Sequence, residues 1–137
     1  MAVHVLTAAR LLVSGVDFSD HISSITIESS AAEVDSTNFA SAGWEEKLGG
    51  LKKWSATIQW QQDFAASEVD ATLTTLVGST VSFNGRYSSA TGTSATNPAY
   101  YGNLLVTSLP RVTGAVGDLH GFSVTWPGTG ALTYATS

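Results

Sequence analysis

The sequence predicts a mainly β protein, a sandwich or barrel with one flanking α-helix, folded as a single domain over residues 1–137. Three observations carry this reading. Apolar residues recur at every second position in several short runs, the period of a strand with one buried face. Gly and Asn punctuate these runs at short intervals, as in all-β folds. One segment alone has helical spacing, and a length of 137 residues suits one core.

Taken in order, strands are predicted near Val3–Ala8 and Ala9–Val13. Asp17-Phe18-Ser19-Asp20 follows as an Asx or Ser turn, because short polar side chains there bond the backbone two residues on. Ile25 and Ile27 alternate with Thr26 and Glu28. Ser36 to Lys53 reads as a long loop, with Gly43, Gly49, Gly50 and a mixed set of charges. It also carries Phe39, Trp44, Leu48 and Leu51, too much apolar content for a solvated connector. Trp54, Ala56, Ile58 and Trp60 then alternate with Ser55, Thr57, Gln59 and Gln61, the cleanest two-faced strand in the chain.

The helix is predicted over Ser67–Val77, with Val69, Leu73, Leu76 and Val77 on one stripe. Ser67 suits its N-cap, Glu68 and Asp70 its positive dipole end, and Gly78 its termination. Val81 and Phe83 begin another strand, expected to turn at Asn84-Gly85. Ser88 to Asn97 reads as a surface loop. Strands near Asn103–Leu109, Phe122–Trp126 and Ala131–Ala135 complete the set.

Composition excludes several functions. Charged residues make up 12% of the chain, against about 25% in ordinary soluble domains. Six basic against eleven acidic residues give a net charge of −5, the wrong sign for gripping phosphates. Seven of the eleven acids lie between Asp17 and Glu46, and from Ser88 to Ser137 only Arg111 and Asp118 are charged. So little charge protects poorly against association, which points to surface covered by other subunits. No apolar run is long enough to span a membrane, and the opening residues do not read as a signal peptide. Without cysteine there is no disulfide framework and no thiolate chemistry.

Candidate chemistry is sparse. Gly-x-Ser-x-Gly, phosphate-loop and dinucleotide motifs are all absent. Asp17, Asp20 and His21, or Asp118 and His120, are the right residue types for a metal, but adjacent residues on a strand point to opposite sides. They read as turn residues. No catalytic residue, metal site or cofactor is expected. Trp54, Trp60 and Trp126 fall on apolar strand faces and belong in a core, whereas Trp44 sits among charges and suits either a satellite core or an anchor on a partner.

Several stretches, in this order and spacing, resemble the major tail, or tail tube, proteins of long-tailed bacteriophages. Val13-Ser14-Gly15-Val16-Asp17-Phe18-Ser19-Asp20-His21-Ile22 is similar to the family's opening strand and turn. Val34-Asp35-Ser36-Thr37-Asn38-Phe39 with Gly43 resembles the start of its long loop, and Gly50-Leu51-Lys52-Lys53-Trp54-Ser55 the loop's return into the next strand. Asn97-Pro98 near Gly102 and the segment Gly128–Tyr134 are also similar.

The resemblance implies a tail-tube-type β-sandwich or barrel whose subunits form hexameric rings. The rings stack into the tube through which DNA is delivered to the host. The partners implied are copies of the same chain, a tape measure and tail-completion proteins, with DNA passing the lumen without specific binding and no membrane. The implied location is the virion tail, with the host cytoplasm as the place of assembly. Phe39, Trp44, Lys47, Leu48, Leu51, Lys52 and Lys53 are expected on an inter-subunit loop. Thr26, Glu28, Ser55, Thr57, Gln59 and Gln61 are the candidates to face the lumen, each subunit giving about four strands to its wall; the alternative is that these faces point outward and other strands line it. The rival readings are a carbohydrate- or protein-binding β-sandwich and the tube of a contractile tail or injection system.

Overall fold

The computed structural model describes residues 6, 9–65, 69–86, 88, 92–94 and 97–136. Its seven strands are β1 (Arg10–Val13), β2 (Val16–Asp17), β3 (Ile22–Asp35), β4 (Lys47–Gln61), β5 (Thr80–Arg86), β6 (Ala99–Leu105) and β7 (Gly121–Ala135). They form one antiparallel sheet in the order β2-β1-β5-β6-β7-β4-β3. The predicted strand Val3–Ala8 lies almost wholly outside the described residues.

The sheet folds over on itself, and β7 is where it turns. The first half of β7 pairs with β4, from Gly121 opposite Gln61 to Pro127 opposite Ser55. Its second half pairs with β6, from Gly128 opposite Leu104 to Ala135 opposite Ala99. The two runs predicted as separate strands are therefore one long strand serving two layers. Glycine makes the corner. A Cβ on Gly128 would lie 2.1 Å from the indole of Trp54, and one on Gly102 would lie 2.8 Å from it. Trp54 occupies the space that side chains there would fill, and its Nε1 donates to the Gly130 carbonyl at 3.1 Å. Gly130 itself has φ +81°, a conformation that disfavours any side chain.

The core lies between the layers. From β4 come Trp54, Ala56, Ile58 and Trp60, and from β7 Phe122, Val124 and Trp126, all buried as their alternation predicts. Leu11, Val13, Val81, Phe83 and Leu104 face them from the second layer. Phe18 meets Trp60 edge-on at 5.2 Å between ring centres, and Trp60 stacks on Phe122 at 6.0 Å.

Four expectations need correction. Asn84-Gly85 is not a turn: both residues lie inside β5, opposite Tyr101 and Tyr100. A Cβ on Gly85 would come within 3.1 Å of Ile27 Cδ1, so this glycine admits the other layer of the sandwich. The true two-residue hairpin is Ser14-Gly15 between β1 and β2, with φ +53° and +79°. The strand expected at Asn103–Leu109 lies earlier, at Ala99–Leu105. The loop expected over Ser36–Lys53 is shorter, because Lys47–Lys53 already pairs with β3. The sequence there gave no alternation, since both faces of this part of the hairpin are exposed.

The helix is also shorter. α1 spans Val69–Leu73 and continues as a single 3-10 turn over Thr74–Leu76. Val69 and Leu73 are fully buried and Leu76 packs against the core, while Val77 is exposed and leaves the predicted stripe. Gly78 ends the segment at φ +85°. Ser67 and Glu68, the predicted cap and first-turn acid, lie outside the described residues.

Two stability predictions follow from this packing. Leu73→Ala should lower the stability of the subunit by about 2–5 kcal/mol, measured by denaturant unfolding. The buried indoles differ in a second way: Trp126 Nε1 donates to the Ser108 carbonyl at 2.9 Å, whereas Trp60 Nε1 has no partner among the described residues. Trp126→Phe should therefore cost about 1–3 kcal/mol more than Trp60→Phe in the same assay, because only the former orphans a carbonyl.

Candidate assembly surfaces

The outer face of the β3-β4-β7 layer is built by register. Ser24, Gln59 and Ser123 form one rank across the three strands; Thr26, Thr57 and Thr125 form the next; Glu28, Ser55 and Pro127 form the third. Because side chains alternate, all of these project away from the core. Thr57 and Thr125 join hydroxyls at 3.0 Å. Glu28 is the one charged residue in the three ranks, so apart from Pro127 the face is hydroxyl and amide with a single carboxylate. Thr26, Glu28, Ser55, Thr57 and Gln59 are thus brought together. Gln61 lies at the end of the same row, half-buried opposite Gly121.

Among the described residues, both edges of this layer are open. β3, 14 residues long, is the last strand of the sheet. On the other side, β6 pairs only with Gly128 and beyond, so Gly121–Trp126 has no strand on the edge facing away from β4. Among the described residues no other backbone hydrogen bond reaches either edge within these stretches. Long open edges are templates for another chain.

The second surface is an arm. Beyond Ser29 and Trp54, β3 and β4 continue as a two-stranded hairpin that no other strand among the described residues joins. At its end, residues 36–46 form a compact tip. Asn38 and Ser41 make a reciprocal capping box around a 3-10 turn at Phe39–Ser41. Thr37 Oγ1 accepts from the Glu46 amide at 2.8 Å, and the Ser36 amide donates to the Glu46 carbonyl at 2.9 Å. This order presents apolar side chains to solvent: Phe39 is fully exposed, Trp44 is 78% exposed and Leu51 88%. Lys47 pairs with Glu33 at 3.2 Å and with Glu45. The predicted loop residues therefore divide, with Phe39 and Trp44 on the tip and Lys47, Leu48, Leu51, Lys52 and Lys53 on the strand that carries it.

The third surface is one that the sequence reading did not single out. Residues 106–120 form a loop at the opposite end of β4 from the arm, held by the Gln62 amide donating to the His120 carbonyl at 2.8 Å. It exposes Val112, Val116 and Leu119. The available signal was Val112, Val116 and Leu119 among Gly, Thr and Pro in a stretch whose charges are Arg111 and Asp118 alone.

The titratable turns are structural. The Ser19 amide donates to Asp17 Oδ1 at 2.9 Å, the predicted Asx turn. Burial raises the pKa of Asp17, but the Ser19 hydroxyl and amide, with Arg10 and Arg86, hold it on balance below its ordinary 3.8. Asp35 is lowered by the Thr37 hydroxyl and amide, and Asp63 by the Ala65 amide and then by His21. His21 sits between Asp20 and Asp63, at 2.8 Å and 3.0 Å, which ties the start of β3 to the chain leaving β4. Asp118 closes a separate turn with Ala115, and among the described residues no group of three such side chains is arranged to hold a metal.

Neither a family model nor a curated protein matches the chain. Solved structures do. A chain in the tail of an empty gene transfer agent particle, refined with C6 helical symmetry, superposes with a TM-score of 0.66 at 19% identity, over 85% of this chain and 83% of that one. A chain in the virion of a native gene transfer agent particle gives a TM-score of 0.66 at 20% identity, over 92% and 95%. The fold is a tail-tube-type β fold. The mainly β architecture with one short helix, expected from the sequence, stands.

Acid sensitivity follows from the turns. A carboxylate with a depressed folded pKa stabilises the fold above its unfolded pKa, and that contribution is lost as pH falls through the folded value. For Asp17 the loss starts below 3.8. Asp17→Asn keeps an acceptor for Ser19 but cannot titrate, so the fall in the unfolding midpoint below that pH should be shallower in the variant than in the parent.

Proposed function

We propose that the protein is a structural, non-enzymatic tail tube subunit that forms stacked hexameric rings enclosing a channel for DNA delivery. One observation carries the reading: a layer with a buried apolar face, a polar outer face and two open edges. The edge of β3 in one subunit lies beside the Gly121–Trp126 edge of the next, and repetition round a ring leaves no edge free. This is a heterologous contact whose rotation closes. The similar chain in a tail refined with C6 symmetry supports six as the number.

Dimensions support it as well. Three strands from each of six subunits, spaced about 4.8 Å and tilted about 40°, give a circumference of about 113 Å and a width of about 36 Å between backbones. Thr26, Glu28, Ser55, Thr57 and Gln59 line that wall. Hydroxyls and amides hold water there, Glu28 repels phosphate, and no cation stands in the three ranks to trap DNA. The arm reaches a neighbouring subunit, which buries Trp44, Phe39 and Leu51; a lone two-stranded hairpin is marginal in water and gains a covering surface there. The low charge of the chain is that of a protein whose surface is largely shared.

Electron microscopy of concentrated purified protein tests assembly. Rings or tubes are expected, and a monodisperse monomer at all concentrations would overturn the proposal in favour of a binding module. The lining is tested by replacing Thr57 and Gln59 with Lys. Tubes should assemble, and DNA ejection should become slower and salt-dependent; unchanged ejection at low salt from particles carrying the lysines would place this face outside.

A further inference from the structure

The sandwich has a second outer face, on the β1-β5-β6 layer, which the proposed lumen and ring contacts leave unused. Alternation puts Leu12, Ser82, Asn84, Tyr101 and Asn103 on it, since Val13, Val81, Phe83 and Leu104 point into the core. Register groups them. Leu12, Asn84 and Tyr101 stand side by side across three strands, and Ser82 and Asn103 form the next rank. Together they line a shallow groove of about 420 Å³ whose lining side chains carry no charge.

The asparagines set this groove apart. Asparagine is disfavoured inside strands, because its side chain competes for nearby backbone groups. Asn84 and Asn103 both lie well inside their strands, yet neither side chain has a hydrogen-bond partner among the described residues. Two amides are thus held in position by a rigid sheet with no use inside the subunit. Tyr101 stands directly beside Asn84 and two residues from Asn103. It is 40% exposed, and its hydroxyl is likewise without a partner among the described residues.

The chemistry narrows the occupant. With no cation among its lining side chains the groove does not grip phosphate, which argues against nucleic acid. Arg10 and Arg86 occupy the rank beyond Asn84, where Asp17 offsets them. Ranks about 7 Å apart on three strands about 4.8 Å apart give a footprint of about 10 by 7 Å. That is far below the roughly 800 Å² per partner of a stable protein interface, and about the size of a disaccharide. An aromatic ring takes the C–H face of a pyranose, and each amide supplies both a donor and an acceptor to neighbouring hydroxyls.

We infer that this face is a binding site for a neutral oligosaccharide, with Tyr101 as the stacking platform and Asn84 and Asn103 as the hydrogen-bonding groups. In the tube read above, the face points away from the lumen, so stacked rings repeat the site along the exterior. Single sites of millimolar strength then combine into firm attachment to a glycan-bearing surface. Only this multivalence rests on the tube reading; the site itself belongs to the subunit.

Saturation-transfer NMR with maltotriose, cellotriose, mannotriose and chitotriose tests the site, and it reads weak binding to subunit and tube alike. At least one trisaccharide is expected to give a saturable signal at about millimolar concentration. Tyr101→Ala should weaken binding roughly tenfold, and Asn84→Ala with Asn103→Ala by a similar factor, whereas Tyr101→Phe should weaken it much less because the ring remains. Trp44→Ala should leave it unchanged. The unfolding midpoint of each variant checks folding, and should Tyr101→Ala not fold, the asparagine pair decides. Loss of signal with Trp44→Ala and not with the Tyr101 or asparagine variants would move the sugar to the arm and overturn the site. Silence from all four sugars would overturn it too, as would binding of polygalacturonate alone, the mark of an acidic glycan. On a column bearing the responding sugar, tubes should be retained far longer than free subunits; equal retention would overturn the multivalence. Subunits that bind sugar yet never form rings would overturn the tube reading and leave the site standing.

Discussion

Trp54 seated on the glycines of the β7 corner is the contact on which the architecture depends. A strand 15 residues long must serve a flat layer at one end and a second layer at the other. It turns between them at Gly128–Gly130, where the indole of Trp54 takes the place of the missing side chains. The same indole is tied to Gly130 by a hydrogen bond and rests against Phe83 of the facing layer at 5.9 Å. Corner, core and layer spacing are thus set by one residue. A side chain at Gly128 would collide with a rigid buried ring, which neither the corner nor the core has room to absorb.

From that corner the molecule separates into two regimes. Between the layers, apolar side chains are closely packed and three tryptophans share one cluster. Outside it, β3 and β4 run on into an arm with no core of its own. The tip is nevertheless held in one shape by Asn38, Ser41 and Thr37, so its apolar residues are displayed rather than collapsed. A preorganised apolar tip binds with less entropy lost than a disordered one. The interior is closely packed, while among the described residues the strand edges and the arm stay uncovered.

Charge follows the same division. Most acids and half of the six cations lie on or near β3, the arm and the first turn, and the rest of the surface is nearly neutral. Like-charged Arg10 and Arg86 stand directly opposite each other across β1 and β5, with Asp17 3.6 Å from Arg10. Arg86 also helps to hold Asp17 below its ordinary pKa. The carboxylate that orders the first hairpin's exit therefore also offsets an arginine pair.

By itself the sequence determined the strand faces. Alternation of large apolar with hydroxyl and amide residues in Trp54–Gln61 and Phe122–Trp126 is a direct record of which side is buried, because a strand's side chains have a period of two. It also determined that Val69 and Leu73 share a buried face, that Asp17 makes a turn, and that Trp44 is unlike the other tryptophans. Only the tertiary structure decided what lies beside what. Asn84-Gly85 has the local chemistry of a hairpin, yet it sits within a strand because Ile27, distant in sequence, needs the space above Gly85. Lys47–Lys53 pairs as strand without alternation, because neither face of the arm meets a core. The open edges of β3 and β7, and the opposition of arm and loop, are properties of strand order. Strand order arises from contacts between residues far apart in the chain, and no local pattern carries it.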